Sequence, residues 1–304
     1  MDFETFIKYK KDFLVYLEIE RNLSKHTYSA YDSDLKMLEQ FWVTHKTEHD
    51  IYTILERFFV HLYHKKTEKS SIARKVSCFR SYERFVRSIG GTIRLKLTRP
   101  RVDKKLPTYL SLDEIEYLLD TLQDKDYKVK TIVRDKAIFE TLYATGIRNS
   151  ELVNIKISDI DFHHKTILIT GKGDKQRVAL FGKKAKQQME KYITTERIKC
   201  TKKSDYLFIN AAGKRLTTRT IQKICTMFST MLPVSKMITP HKIRHSFATH
   251  LLNSGMNLRA LQELLGHASL ATTEKYTHIS TVDLQKMYNT IHPVRHFKKQ
   301  MISS

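Results

Sequence analysis

Apolar side chains recur every three to four positions through residues 1–89, which predicts a run of amphipathic helices. Phe3, Phe6, Ile7, Phe13, Leu14 and Leu17 share one stripe, and Tyr28, Tyr31, Leu35, Leu38 and Trp42 share the next, with Ser24 as its cap. Ile51, Ile54, Leu55, Phe58, Phe59 and Leu62 form a third stripe; Ile72, Val76, Phe79, Tyr82, Val86 and Ile89 form a fourth. The periodicity stops at Gly90 and Gly91. The next stretch, TIRLKLTRPRVDKKLP, contains Pro100 and Pro107 and no apolar stripe, so residues 90–106 read as an extended basic linker. Helical order returns at Ser111, which has the spacing of a capping box with Glu114 ahead of Ile115, Leu118, Leu119 and Leu122.

Farther along, TILIT and RVALF are β-branched runs either side of the glycine-containing turn GKGDKQ, the pattern of a hairpin inside a helical domain. YLFIN at 206–210 offers another strand, and helices are expected from about Lys183, Thr218, Pro240, Asn257 and Ser269. The expected fold is mainly α with a small β-sheet. A helical domain spans 1–89, the linker 90–106, a second, α+β domain 107–293 and a polar basic tail 294–304.

Composition narrows the partner. The chain of 304 residues has 41% hydrophobic content, enough for two cores, and carries 54 Lys and Arg against 32 acids, a net charge of +22. That balance favours a polyanion over a small neutral substrate. The excess is uneven: residues 1–50 hold seven basic and ten acidic side chains, residues 51–106 hold 15 and four, and the remainder 32 and 18. Arg80, Arg84 and Arg87 fall at i, i+4 and i+7 on the fourth helix, with Arg74 and Lys75 just upstream, so they form a cationic face suited to DNA phosphates. Cys78, Cys200 and Cys225 are far apart and in no CxxC pattern, which argues against a disulfide framework or a zinc ribbon. No apolar run approaches membrane-spanning length and the start has no signal-like segment, so a cytoplasmic protein with no membrane partner is expected.

Six residues in the second half have the side chains that metal-free phosphoryl transfer needs: Arg148, Lys172, His241, Arg244, His267 and Tyr276. A phosphodiester transition state places charge on two non-bridging oxygens, and the planar, permanently charged guanidinium matches them better than an ammonium does. Arg148 and Arg244 are the candidates. Thr239 and Pro240 mark a helix start, which puts His241 and Arg244 near the positive end of a helix dipole. Glu151 is placed to orient Arg148, although this spacing also fits a surface ion pair. Lys172, at the hairpin turn, can protonate a departing 5'-oxygen, while Lys175 and Arg177 beside it can touch the DNA backbone. Tyr276 is the candidate nucleophile, and an attack by its phenolate would store the bond energy for religation without ATP. His267 follows Gly266 at a helix end, where an imidazole can donate to a phosphate oxygen. His241 and His245 have a zinc-like spacing, but no carboxylate lies close by in sequence, so no metal is expected.

ATGIRNSELVNIKISDID, ITGKGDKQR, TPHKIRHSFATHLLNSG, LRALQELLGHASLATTEKYTHIS and HPVR resemble the boxes of the tyrosine recombinase family, and specifically its bacterial Xer-type enzymes. NLSKHTYSAYDSDL and SIARKVSCFRSYERF resemble the family's four-helix, SAM-like core-binding domain, and KLPTYLSLDEIEYLL the entry to its catalytic domain. The resemblance implies Tyr276 as covalent nucleophile, Arg148, His241, Arg244 and His267 around the scissile phosphate, Lys172 as general acid and Glu151 in support. It further implies a clamp on duplex DNA carrying paired recombination sites, with strand exchange through a Holliday junction. Four protomers take part, either identical or with a paralogous recombinase, with a septal DNA translocase as a further partner; no cofactor is implied. The motifs are shared by chromosome or plasmid dimer-resolving enzymes and by integrases of mobile elements. A topoisomerase IB-like relaxase and a non-catalytic DNA-binding protein are the competing functions.

Overall fold

The computed structural model describes residues 1–19, 25–45, 50–101, 109–127, 129–171, 176–200, 204–266, 285, 287–288 and 290–292. The chain forms two compact units, Met1–Leu106 and Pro107–Ser304.

The first unit contains α1 (Phe3–Ile19), α2 (Lys25–Thr44), α3 (Ile51–His64) and α4 (Lys69–Ser88). Their stripes meet in one aromatic core, in which Phe6, Phe13, Trp42, Phe58, Phe79 and Tyr82 are all sealed from solvent. The start of α3 is fixed by Asp50, whose side chain accepts the Thr53 N–H at 2.9 Å. Residues 90–101 have no regular secondary structure, as expected, yet they are not a detached tether. Ile93 is buried in the helical core, and Arg80 donates to the Leu97 carbonyl at 2.7 Å, so this stretch packs with the first unit.

The second unit begins with α5 (Leu112–Glu116), whose start is the expected capping box: Ser111 Oγ accepts the Glu114 N–H and Glu114 accepts the Ser111 N–H. Helix α6 (Ile132–Thr145) runs through the core and is buried along almost its whole length, Asp135, Lys136 and Glu140 included. Short α7 (Asn149–Leu152) follows. An antiparallel sheet comes next, β1 (Ile160–Asp161), β2 (Thr166–Thr170) and β3 (Gln176–Leu180), in the order β1-β2-β3, with Ile169 opposite Arg177 and Ile167 opposite Ala179. Helices α8 (Lys183–Thr195), α9 (Thr218–Met231), α10 (Pro240–Asn253) and α11 (Leu258–Leu265) follow.

The 206–210 segment differs from expectation. It is buried in the core at Leu207, Phe208 and Ile209 but makes only isolated bridges, Lys156 with Tyr206 and Ile209 with Arg215. Its pairing with Lys156 does not extend because the segment that follows Lys156 turns into a helical twist at Ile157–Asp159. The helix expected near Ser269 and the tail lie outside the described residues.

Burial gives Glu140 a measurable consequence. Desolvation lifts its carboxyl to about 7, opposed by Lys184 and reinforced by Asp120. A carboxyl whose folded pKa is raised loses stability as pH climbs from its unfolded value of about 4.5 towards 7, because the unfolded chain ionises first. Glu140→Gln is expected to melt at a higher temperature than the parent above pH 7, by up to about 3 kcal/mol of stability, with the difference vanishing below about pH 4.5. Thermal melts across that range check it; a parallel pair of curves would contradict it.

Candidate active site

The site is built where three helix ends meet. α6 stops at Gly146, which takes the left-handed conformation (φ +60°) and whose N–H bonds back to the Leu142 carbonyl. A side chain here would be strained and would also meet the Phe247 ring at 2.3 Å. The chain then turns directly into α7, with Arg148 in the capping position. Glu151, one turn on, reaches back with Oε2 to accept the Arg148 N–H at 2.7 Å, and its Oε1 accepts Arg148 Nη1 at 2.9 Å. Glu151 is buried while the Arg148 side chain stays 42% exposed, so the guanidinium is anchored at one nitrogen and open at the others.

Arg244 approaches from α10. Thr239 caps this helix by accepting the Lys242 N–H at 3.2 Å, and Pro240 occupies the first turn, as the sequence pattern predicts. Arg244 Nη1 donates to the Gly146 carbonyl at 2.6 Å and Nη2 to the Leu265 carbonyl at 2.8 Å. One guanidinium therefore ties together the C-terminal ends of α6 and α11, consuming two of its five N–H donors. His241 is exposed one turn earlier on the same helix. Beneath the site, α10 is locked to α6 by a hydrogen bond of 2.9 Å between the Tyr143 hydroxyl and His250 Nδ1. The Leu110 N–H donates to Ser246 Oγ at 2.8 Å, and the Tyr288 hydroxyl donates to the Ala144 carbonyl at 2.8 Å.

Charge at this junction is lopsided. Arg177, on β3, donates Nη1 and Nη2 to the two Glu151 oxygens at 2.9 and 2.8 Å. Two guanidinium groups, those of Arg148 and Arg177, thus bond one carboxylate, and all three of these charges act on the guanidinium of Arg244. Burial, together with the charges of Arg148 and Arg177, lowers the Arg244 guanidinium to about 10 against the opposing pull of Glu151. For Glu151, burial pushes the carboxyl up, but the hydrogen bonds from Arg177 and Arg148 outweigh it and hold the group below the ordinary carboxylate value. Arg244 remains charged at neutral pH, and an anion placed beside it and Arg148 would relieve their mutual repulsion.

The structure thus brings together Arg148, Glu151, Arg177 and Arg244. Lys172, Lys175, His267 and Tyr276 lie outside the described residues, although Leu265 and Gly266, just before His267, are part of the junction.

Two of the expected DNA contacts need correcting. Lys75 is 3% exposed, with Nζ on Asp34 Oδ1 at 2.7 Å, because the buried carboxylate of Asp34 needs a cation. Its ammonium is held inside the protein, away from any phosphate at the surface. Arg177 faces inward on β3, sharing a face with Ala179, and its fork is spent on Glu151 rather than on a free surface. Arg74 is exposed but also bonds Asp34, while Arg80, Arg84 and Arg87 keep an exposed cationic face. Alternation along QRVAL was the missed signal, since an arginine two residues from a buried alanine points into the protein.

Comparison with known proteins decides the family. Residues 108–282 match the model of the phage integrase family, and residues 11–89 match that of the phage integrase N-terminal SAM-like domain. The chain belongs to the phage integrase family. Among its relatives in this family of tyrosine recombinases, the enzyme XerC of Staphylococcus aureus strain COL is 37% identical over 286 residues, covering 92% of this chain and 95% of its own. XerC of Staphylococcus epidermidis strain ATCC 12228 is 36% identical over 291 residues, covering 94% and 97%. The fold is shared with a XerH site-specific recombinase solved with its difH substrate before cleavage (TM-score 0.65, 24% identity, 91% and 83% covered). It is shared too with the Tn1549 transposon integrase bound to transposon right end DNA (TM-score 0.69, 18% identity, 96% and 99% covered). A recombinase of Xer type fits the basic composition and the anion-ready junction. Among the described residues, no helix is long and apolar enough to cross a membrane.

Proposed function

We propose that this protein is a site-specific recombinase that cuts and rejoins duplex DNA through a 3'-phosphotyrosyl link to Tyr276. The observation that carries the reading is the paired presentation of Arg148 and Arg244 near two helix starts, Arg148 bonded to Glu151, whose carboxylate Arg177 also takes, and Arg244 bonded to the Gly146 and Leu265 carbonyls. Arg148 and Arg244 hold the non-bridging oxygens of the scissile phosphate. His241, at the start of α10, and His267 complete the charge neutralisation, and Lys172 delivers the proton to the leaving 5'-oxygen. Arg80, Arg84 and Arg87 contact the DNA backbone from the first unit. Four protomers on two recombination sites exchange strands through a Holliday junction, and the 37% identity to XerC enzymes favours chromosome or plasmid dimer resolution in the cytoplasm.

The test begins with the duplex that the purified protein protects, sought in the DNA flanking its own gene and in the replication terminus. That duplex, nicked inside the crossover region, loses its religating fragment after cleavage, so a recombinase accumulates as a covalent complex. Peptide mapping of the complex should place the phosphodiester on Tyr276. Sequence-independent relaxation of supercoiled DNA without strand exchange would favour the relaxase alternative instead.

A further inference from the structure

Glu151 is shared by two arginines unequally. The Arg177 guanidinium takes both carboxylate oxygens at 2.9 and 2.8 Å, while the Arg148 guanidinium reaches one of them through a single nitrogen. The Arg177 side chain is 15% exposed and Arg148 42%, so one guanidinium is spent inside the protein and the other looks outward. Gly266 lies flat against this fork: a Cβ there would meet Arg177 Cδ at 2.6 Å and Nε at 2.8 Å. The chain therefore leaves a space for Arg177 immediately before His267.

From this geometry we infer that Arg177 is a positioning residue for cleavage, which saturates Glu151 so that the charge of Arg148 stays available to the scissile phosphate. An Arg–carboxylate fork is the favoured geometry for such a pair. If Arg177 were absent, the buried carboxylate would lose its forked partner and its full charge would fall on the nearest remaining guanidinium, that of Arg148, and neutralise it. With Arg177 present, that pairing is already taken, and Glu151 holds the Arg148 guanidinium through one bond only, its other bond to Arg148 being to the backbone N–H. Arg177 also ties β3 to the helix end carrying Arg148. This inference rests on the reading that Arg148 binds the scissile phosphate.

The experiment measures single-turnover cleavage of the nicked duplex, with DNA affinity and thermal melts in parallel, for the full-length parent, Arg177→Ala, Arg177→Lys, Glu151→Gln and Arg177→Ala/Glu151→Gln. Arg177→Ala is expected to slow cleavage about 100-fold with affinity little changed, since misplacing one reacting group costs about that much. Adding Glu151→Gln should return about tenfold of the loss, because the amide cannot neutralise Arg148. Arg177→Lys, which keeps the charge but not the fork, should fall between the parent and Arg177→Ala, and it carries the comparison if the alanine variant melts below the assay temperature. A double variant as slow as Arg177→Ala, or slower, would mean that Arg177 only supports the fold and would overturn the inference. Parent-like cleavage by Arg177→Ala would overturn it as well. A parent chain that forms no covalent complex would instead overturn the functional reading, and this inference with it.

Discussion

Tyr276→Phe is expected to abolish covalent capture of the nicked duplex, by about 10⁴-fold or more, with DNA affinity largely retained. Removing the phenol oxygen deletes the bond-forming atom, and a water attacking in its place would leave no protein-linked product. A tyrosine with its ordinary pKa of about 10 is a poor nucleophile at neutral pH, so it depends on surrounding cations to favour the phenolate as it attacks. On the proposed reading the junction would supply them: three guanidinium groups beside one carboxylate leave an excess of positive charge. Gel-shift affinity and denaturing gels of the covalent product read the two effects separately. A Tyr276→Phe protein that still forms the adduct would transfer the role of nucleophile to another residue.

Arg244→Ala is the second large effect. Arg244 holds the Gly146 and Leu265 carbonyls, so its loss strands two acceptors at the meeting point of α6 and α11 and lowers stability as well as activity. The expected fall in cleavage is about 100- to 1,000-fold, the scale for removing one charge-stabilising donor from a transition state. Structural and electrostatic losses are separable with a substrate whose scissile phosphate is replaced by a methylphosphonate, which lacks the charge of one non-bridging oxygen. On that substrate the gap between parent and Arg244→Ala should narrow by at least about tenfold, because less charge must be neutralised. An equal defect on both substrates would assign Arg244 a purely architectural part. Arg244→Lys should recover little on either, since an ammonium cannot span both carbonyls and a phosphate oxygen.

Much of this molecule is legible in its sequence. The first four helices, the Ser111 capping box, the hairpin and the Thr239–Pro240 helix start are local patterns, set by side chains within a few residues of one another. Glu151 beside Arg148 is also local, at a spacing of three. The features that escape a sequence reading are long-range or inward-facing. Arg244 grips carbonyls 98 and 21 residues away, and no periodicity reports such a bond. Arg177 and Lys75 read as surface cations, yet each answers a buried carboxylate contributed by a distant segment, Glu151 and Asp34. Helix α6 is packed on every side, so its polar residues obscure the apolar stripe that marks an ordinary surface helix. The 206–210 run has the composition of a strand, but composition does not supply the neighbour a strand must pair with.

A structure of the trapped complex on the nicked duplex would test most directly whether one phosphate is held by this cationic junction. The expected electron density joins the Tyr276 oxygen to phosphorus, with Arg148 and Arg244 each about 2.9 Å from a non-bridging oxygen and Arg177 still forked on Glu151. A phosphorus atom bonded to a different side chain, or seated away from both Arg148 and Arg244, would contradict it.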